Sequence, residues 1–115
     1  MQIVRHEATA VYSKAVEANG FVFTAGIVPS KLDADAKAQA AEVLAEIDRL
    51  LALAGTSKSK VVFANLWLAD VRHREAVNEA WSAWMGGKDA PARATVEAKL
   101  VDPRMLVEIG VIAVK

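Results

Sequence analysis

The strongest constraint on this sequence is one helical stripe. Ala40, Val43, Leu44, Ile47, Leu50, Leu51 and Ala54 recur at intervals of three and four, while Lys37, Glu42, Glu46 and Arg49 fall mostly on the opposite side. Asp33 and Asp35 both suit the N-cap of a helix from about Ala34 to Ala54, and Gly55 follows as its C′ residue. A helix with one apolar stripe has to cover something. Most of the remaining chain reads as strands, so the partner is a sheet.

The strands come in a recognisable order. Gln2–His6 reads as a short first strand, and residues 8–12 as a connection. Ser13–Glu17 and Phe21–Gly26 flank Ala18-Asn19-Gly20, and an Asn-Gly pair between β-like runs predicts a hairpin. Residues 26–32 form a loop containing Pro29, and Thr56–Lys60 forms a polar loop. Val61–Leu68 is a continuous apolar run suited to a strand buried on both faces. Asp70 leads into a second helix, about His73–Met85, with Val77, Ala80, Trp81 and Trp84 as its stripe and Gly86-Gly87 as its end. The two tryptophans read as core or interface anchors. A loop with Lys88, Asp89 and Pro91 then enters two further strands, Pro91–Leu100 and Met105–Val114, joined through Asp102-Pro103 as a final hairpin.

The order β, ββ, α, β, α, ββ lacks the regular alternation of a doubly wound fold. It predicts an α+β domain spanning residues 1–115, with two helices on one face of a mixed sheet. The strands are apolar on both sides, so the other face also needs cover. A second copy of the same sheet is the simplest cover, in keeping with a hydrophobic content of 54%.

Several function classes drop out. The chain has no Cys, which excludes disulfides, thiolate nucleophiles and Cys-based metal sites. Its 14 basic and 14 acidic residues cancel, so there is no basic footprint for nucleic acid, and aromatics are not interleaved with Lys or Arg. No apolar run approaches membrane-spanning length, and the first residues lack a signal-peptide core, so a cytoplasmic location is expected. His6 and His73 lie far apart without metal-binding neighbours, so no metal is expected. Neither a G-x-S-x-G nor a P-loop spacing occurs.

Two charged residues sit awkwardly. Arg93 stands at the entrance of a strand, behind Pro91-Ala92, and Glu108 is embedded in Leu106-Val107-Glu108-Ile109. A carboxylate in such a run is costly unless it has a partner or a task. One explanation is a structural ion pair or an edge-strand Glu facing solvent. The other is a cleft in which the guanidinium grips an anionic substrate and the carboxylate handles a proton or a water. Tyr12, Gly26 and Asn78 are further candidates, each with an ordinary alternative as packing, turn or solvent-facing helix residue.

The segments V-Y-S-K-A-V, N-G-F-V-F-T-A-G, A-V-N-E-A-W, P-A-R-A-T-V-E-A and L-V-E-I resemble those of the Rid family of reactive-intermediate deaminases, also known as YjgF-type proteins, over nearly the whole chain. L-D-A-D-A and E-A-K-L-V-D-P-R look closest to its YoaB-like branch. The resemblance implies a chorismate-mutase-like subunit in a homotrimer with clefts between subunits. It implies cofactor-free hydrolysis of 2-imino acids or enamines to 2-oxo acids and ammonia. Arg93 matches the substrate-carboxylate arginine and Glu108 the carboxylate that activates water or shuttles the proton. Tyr12, Gly26 and Asn78 match pocket-lining positions, and Thr95 stands where a Cys is frequent. Ala25, Ile27 and Gly110 also depart from the best-known branch, which leaves substrate range open. A non-catalytic binder of small carboxylates such as 2-oxo acids would use the same Arg93 pocket. Ribonuclease activity follows only from an older family label.

Overall fold

The structure, a computed structural model, describes residues 1–115. Its elements run β1 (Ile3–Ala8), β2 (Ser13–Ala18), β3 (Phe21–Thr24), α1 (Ala36–Leu53), β4 (Val61–Leu68), α2 (Arg74–Met85), β5 (Ala92–Glu97) and β6 (Val107–Val114). The order matches the expectation, and two helices pack on one face of a six-stranded mixed sheet. Asp35, not Asp33, caps α1, its carboxylate accepting from the Ala38 N–H at 2.9 Å. Asp70 caps a short 3₁₀ turn, Val71–His73, that feeds α2. Gly86 ends α2 in the left-handed region at φ 71°, where a Cβ would be strained. No helix is long and apolar enough to cross a membrane.

The first hairpin forms as expected. Asn19 and Gly20 take φ of 52° and 80°, the pair of positive angles a type I′ turn demands. The second does not form. The sheet order is β1-β2-β3-β6-β4-β5, so β4 lies between β5 and β6. The α2 crossover returns the chain parallel to β4 as β5, and β6 then runs antiparallel between β3 and β4. The physical reason is burial. β4 and β6 are the most apolar strands and take the centre, leaving the less apolar β5 at an edge. Asp102-Pro103 does make a local turn, in which the Met105 N–H reaches the Asp102 carbonyl at 3.0 Å, but the turn sits in a long crossover rather than at a hairpin tip.

Strand alternation sorts the side chains into two faces. Val22, Leu66, Leu68, Val107, Ile109, Val111 and Ala113 lie under the α1 stripe and are fully buried or nearly so. The other face carries the row Val16, Phe23, Ile112 and Phe63, with Phe21 and Val114 beside it. Phe21 is 38% and Phe23 40% exposed, so this apolar face is uncovered in a single chain.

Gln39 is the one buried polar side chain. It donates to the carbonyls of Ala34 and Arg104 at 3.1 and 3.0 Å and accepts from the Leu106 N–H at 2.7 Å. Two of the three bonds tie α1 to the segment that launches β6.

Candidate active site

Arg93 pairs with Ala64 of β4, whose side chain is fully buried under the helices, so the guanidinium points to the helix side of the sheet. There α2 meets it. Arg93 Nη2 donates to Asn78 Oδ1 at 2.7 Å, and the guanidinium lies over the Trp81 ring at 5.1 Å. Asn78 therefore is neither solvent-facing nor idle, because it and Trp81 hold the guanidinium in place. No carboxylate comes within ion-pairing distance of Arg93, whereas Arg49, Arg72 and Arg104 all have one. Burial, with a smaller contribution from the charge of Arg74, pushes the Arg93 pKa below the usual arginine value. Arginine keeps its proton inside proteins, so the group is a cation that lacks an anion. Thr95 shares this face, and its hydroxyl is buried without any hydrogen-bond partner.

Glu108 pairs with Trp67 on the opposite, uncovered face. Its carboxylate lies over the α-carbon of Gly26, where an added Cβ would overlap Glu108 Oε2. Gly26 is thus the one residue type that lets the acid lie flat against the 25–27 segment. Burial raises the Glu108 pKa above the ordinary carboxylate value, and no hydrogen bond or cation offsets that. Gly110, in the same strand, faces the Ala25 carbonyl, at 3.4 Å from where its Cβ would stand. Tyr12 is half exposed and lines a cavity of about 560 Å³ that also includes Gly26, Ile27 and Ser30.

The candidates therefore form two groups. Arg93, Asn78 and Thr95 sit together at the β5 edge. Gly26 adjoins Glu108 and shares its cavity with Tyr12. The convergence of Arg93 and Glu108 expected from a final hairpin does not occur within one chain. Ala64 and Trp67 are three residues apart on β4, an odd spacing, so their neighbours on either side project to opposite faces. Sequence reasoning also missed the ring under Arg93 and the role of Gln39. A polar residue at the edge of an apolar helical stripe was the available signal for Gln39. Trp81 carried none, because packing alone explained it. No group of His, Cys, Asp or Glu is arranged to hold a metal ion.

Comparison with known proteins places this architecture. Residues 2–115 match the family profile described as Endoribonuclease L-PSP. The RutC family protein YoaB of Escherichia coli is 43% identical over 113 residues, covering 98% of both chains. A RutC family protein of Haemophilus influenzae is 41% identical over 114 residues, again covering 98% of both. A crystal structure of a YjgF family member from Neisseria meningitidis superposes with a TM-score of 0.94 at 43% identity, covering all of this chain and 96% of that one. A family member from Mycobacterium tuberculosis gives a TM-score of 0.90 at 28% identity. Near-complete coverage by the family profile, with the same fold at more than two-fifths identity, means that this chain belongs to the YjgF/RutC (L-PSP) family.

Proposed function

We propose that the protein hydrolyses 2-imino acids, or their enamine tautomers, to 2-oxo acids and ammonia without a cofactor, in clefts between copies of a homotrimer. One copy lends Arg93, Asn78 and Thr95, and its neighbour lends Glu108, Gly26 and Tyr12. The observation that carries this reading is Arg93: a half-buried guanidinium oriented by an amide and a ring, with no carboxylate of its own. Such a group is ready to clamp a small carboxylate in bidentate fashion. Arg93 and Glu108 face opposite sides of one sheet, so a complete site needs two chains. The uncovered face around Phe21 and Phe23 and the free edge of β5 supply surface for that contact. Contact between two different patches closes into a ring when the rotation allows.

The chemistry asks little of the protein. The imine carbon is already electrophilic. Glu108 takes a proton from water as its oxygen bonds to that carbon, and the electron pair of the C=N bond goes to nitrogen. The nitrogen gains protons, the C–N bond breaks, and ammonia leaves as the hydroxyl becomes the 2-oxo group. One water is consumed and one ammonia released. A pKa raised by burial brings the carboxylate nearer to the range where it can both accept and return a proton. Holding water and imine together contributes most of the remaining acceleration.

The test is turnover of freshly generated 2-iminopropionate or 2-iminobutyrate, in wild type, Arg93→Ala and Glu108→Gln. Both variants should lose most of the acceleration. Co-refolding the two inactive variants should restore about a quarter of it, because a cleft fed by two chains is intact in one of four random pairings. Restoration of nothing would place both groups in one chain and end the shared-site account. A second reading, a sensor that binds 2-oxo acids without turnover, draws on the Arg93, Asn78 and Thr95 group being complete in one chain. It predicts saturable binding with no ammonia release.

A further inference from the structure

We propose that the Arg93 pocket is built for dicarboxylic 2-imino acids and the matching 2-oxo acids, with Arg74 holding the second carboxylate. The inference deepens the reading of Arg93 as the clamp for the first carboxylate and rests on it.

Arg74, Asn78 and Trp81 stand at i, i+4 and i+7 of α2 and so share one face of the helix. Two of the three touch Arg93. The chain entering α2 is pinned as well: the Val71 N–H donates to Glu97 Oε1 at 3.0 Å. Glu97 and Arg93 both project from the helix side of β5. Between these two anchor points lie Arg74 on the helix and Thr95 on the strand. Thr95, whose buried hydroxyl has no partner, shares the helix-facing side of β5 with Arg93 and Glu97.

Neither guanidinium has an acid. Arg49, Arg72 and Arg104 each pair with a carboxylate, whereas Arg74 and Arg93 form no ion pair. They are close enough that the charge of Arg74 lowers the Arg93 pKa. The acid closest along this strand, Glu97, is engaged by the Val71 N–H. Two adjacent cations repel until an anion arrives. A ligand with one carboxylate neutralises one guanidinium and leaves the other facing it. A ligand with two neutralises both. Arg74 precedes Asn78, the residue that holds Arg93, by four positions or about 6 Å of helix, a step that a four- or five-carbon dicarboxylic acid and the long arginine side chain can span together. Thr95 then offers its hydroxyl to a ligand oxygen between them.

The experiment is calorimetric binding of 2-oxoglutarate and 2-oxopentanoate, equal in chain length and differing by one carboxylate, to the assembled protein at low salt. Wild type should favour the dicarboxylate by about tenfold, the lower end for a charge-assisted contact because Arg74 is exposed. Salt should narrow the preference. Arg74→Ala should bring the ratio of dissociation constants to about one, and Arg74→Glu should invert it. Arg72→Ala, which removes an exposed charge paired to Asp70, should leave the ratio as in wild type. Equal binding of the two acids, binding of neither, or the same fall in the ratio for Arg72→Ala as for Arg74→Ala would overturn the assignment. Ammonia release from 2-iminopropionate is measured separately. Its absence alongside an Arg74-dependent preference sinks the hydrolase reading and spares this one. Its presence without the preference does the reverse.

Discussion

The two sides of the helical layer treat their polar groups in opposite ways. Around α1 everything is matched. Gln39 makes three hydrogen bonds, Glu42 accepts from Ser30 and Lys31, and Arg49 grips Glu7 and Glu46 while Lys14 adds a second cation. Along α2 and β5 the accounts stay open. Arg93 has an amide and a ring but no acid, and the Thr95 hydroxyl has nothing. A fold selected only for stability would not leave a desolvated cation and a buried hydroxyl unmatched two residues of strand apart. On the function proposed above, the contrast separates the part of the molecule that holds itself together from the part that binds the ligand.

If that division is right, substitutions on the α1 side move stability and those on the α2 side move binding. The largest effect falls on Gln39→Leu, which strands two carbonyls and an amide N–H at part-buried positions. It should cost about 3 kcal/mol in denaturant unfolding, at roughly 1–3 kcal/mol for each orphaned group less what relaxation recovers. A loss well under 1 kcal/mol would mean that the segment before β6 is not held by this side chain. Arg93→Ala comes next. It should weaken binding of a small 2-oxo acid about 100-fold, near the upper end for a charge-assisted contact, with a melting temperature close to wild type. A large drop in melting temperature would make Arg93 a structural residue and erase the contrast. Trp81→Phe keeps a ring but a weaker one, and should raise the dissociation constant about threefold, matching a fraction of the usual cation–π contribution.

Glu108 sharpens the comparison through pH. Its pKa is raised in the folded state, so the ionised form is disfavoured there relative to the unfolded chain. The neutral form costs nothing, so stability is fully present below the ordinary carboxylate pKa and is lost as pH rises through the raised one. Glu108→Gln should therefore melt higher than wild type at neutral pH, and the gain should vanish in acid. A gain that persists below the ordinary carboxylate range would point to packing rather than charge. The smallest effect belongs to Arg49→Ala. Exposed pairs of this type contribute little, so thermal unfolding should shift only slightly and ligand binding should stay as in wild type.

Much of the architecture was legible in the residues. The α1 stripe, the Asn19-Gly20 turn and the Gly86 stop carry their instructions locally, because helix periodicity and positive-φ turns are fixed by near neighbours. Arg93 and Glu108 stood out for the same reason, as charges set among apolar or β-branched neighbours. Strand partnership was not legible. The Asp102-Pro103 turn looked like a hairpin tip, and nothing in its own residues says that β4 will come between the strands on either side.

The sequence by itself determined the elements, the helix faces and the two anomalous charges. Each depends on side chains a few positions apart and on torsional preferences that act within one turn. Only the tertiary structure decided that β6 enters the middle of the sheet, that Arg93 faces the helices while Glu108 faces away, and that Asn78 and Trp81 gather around one guanidinium. Those outcomes follow from which strands gain most by burial on both sides. Burial is a property of the assembled sheet and is not carried by any single segment of it.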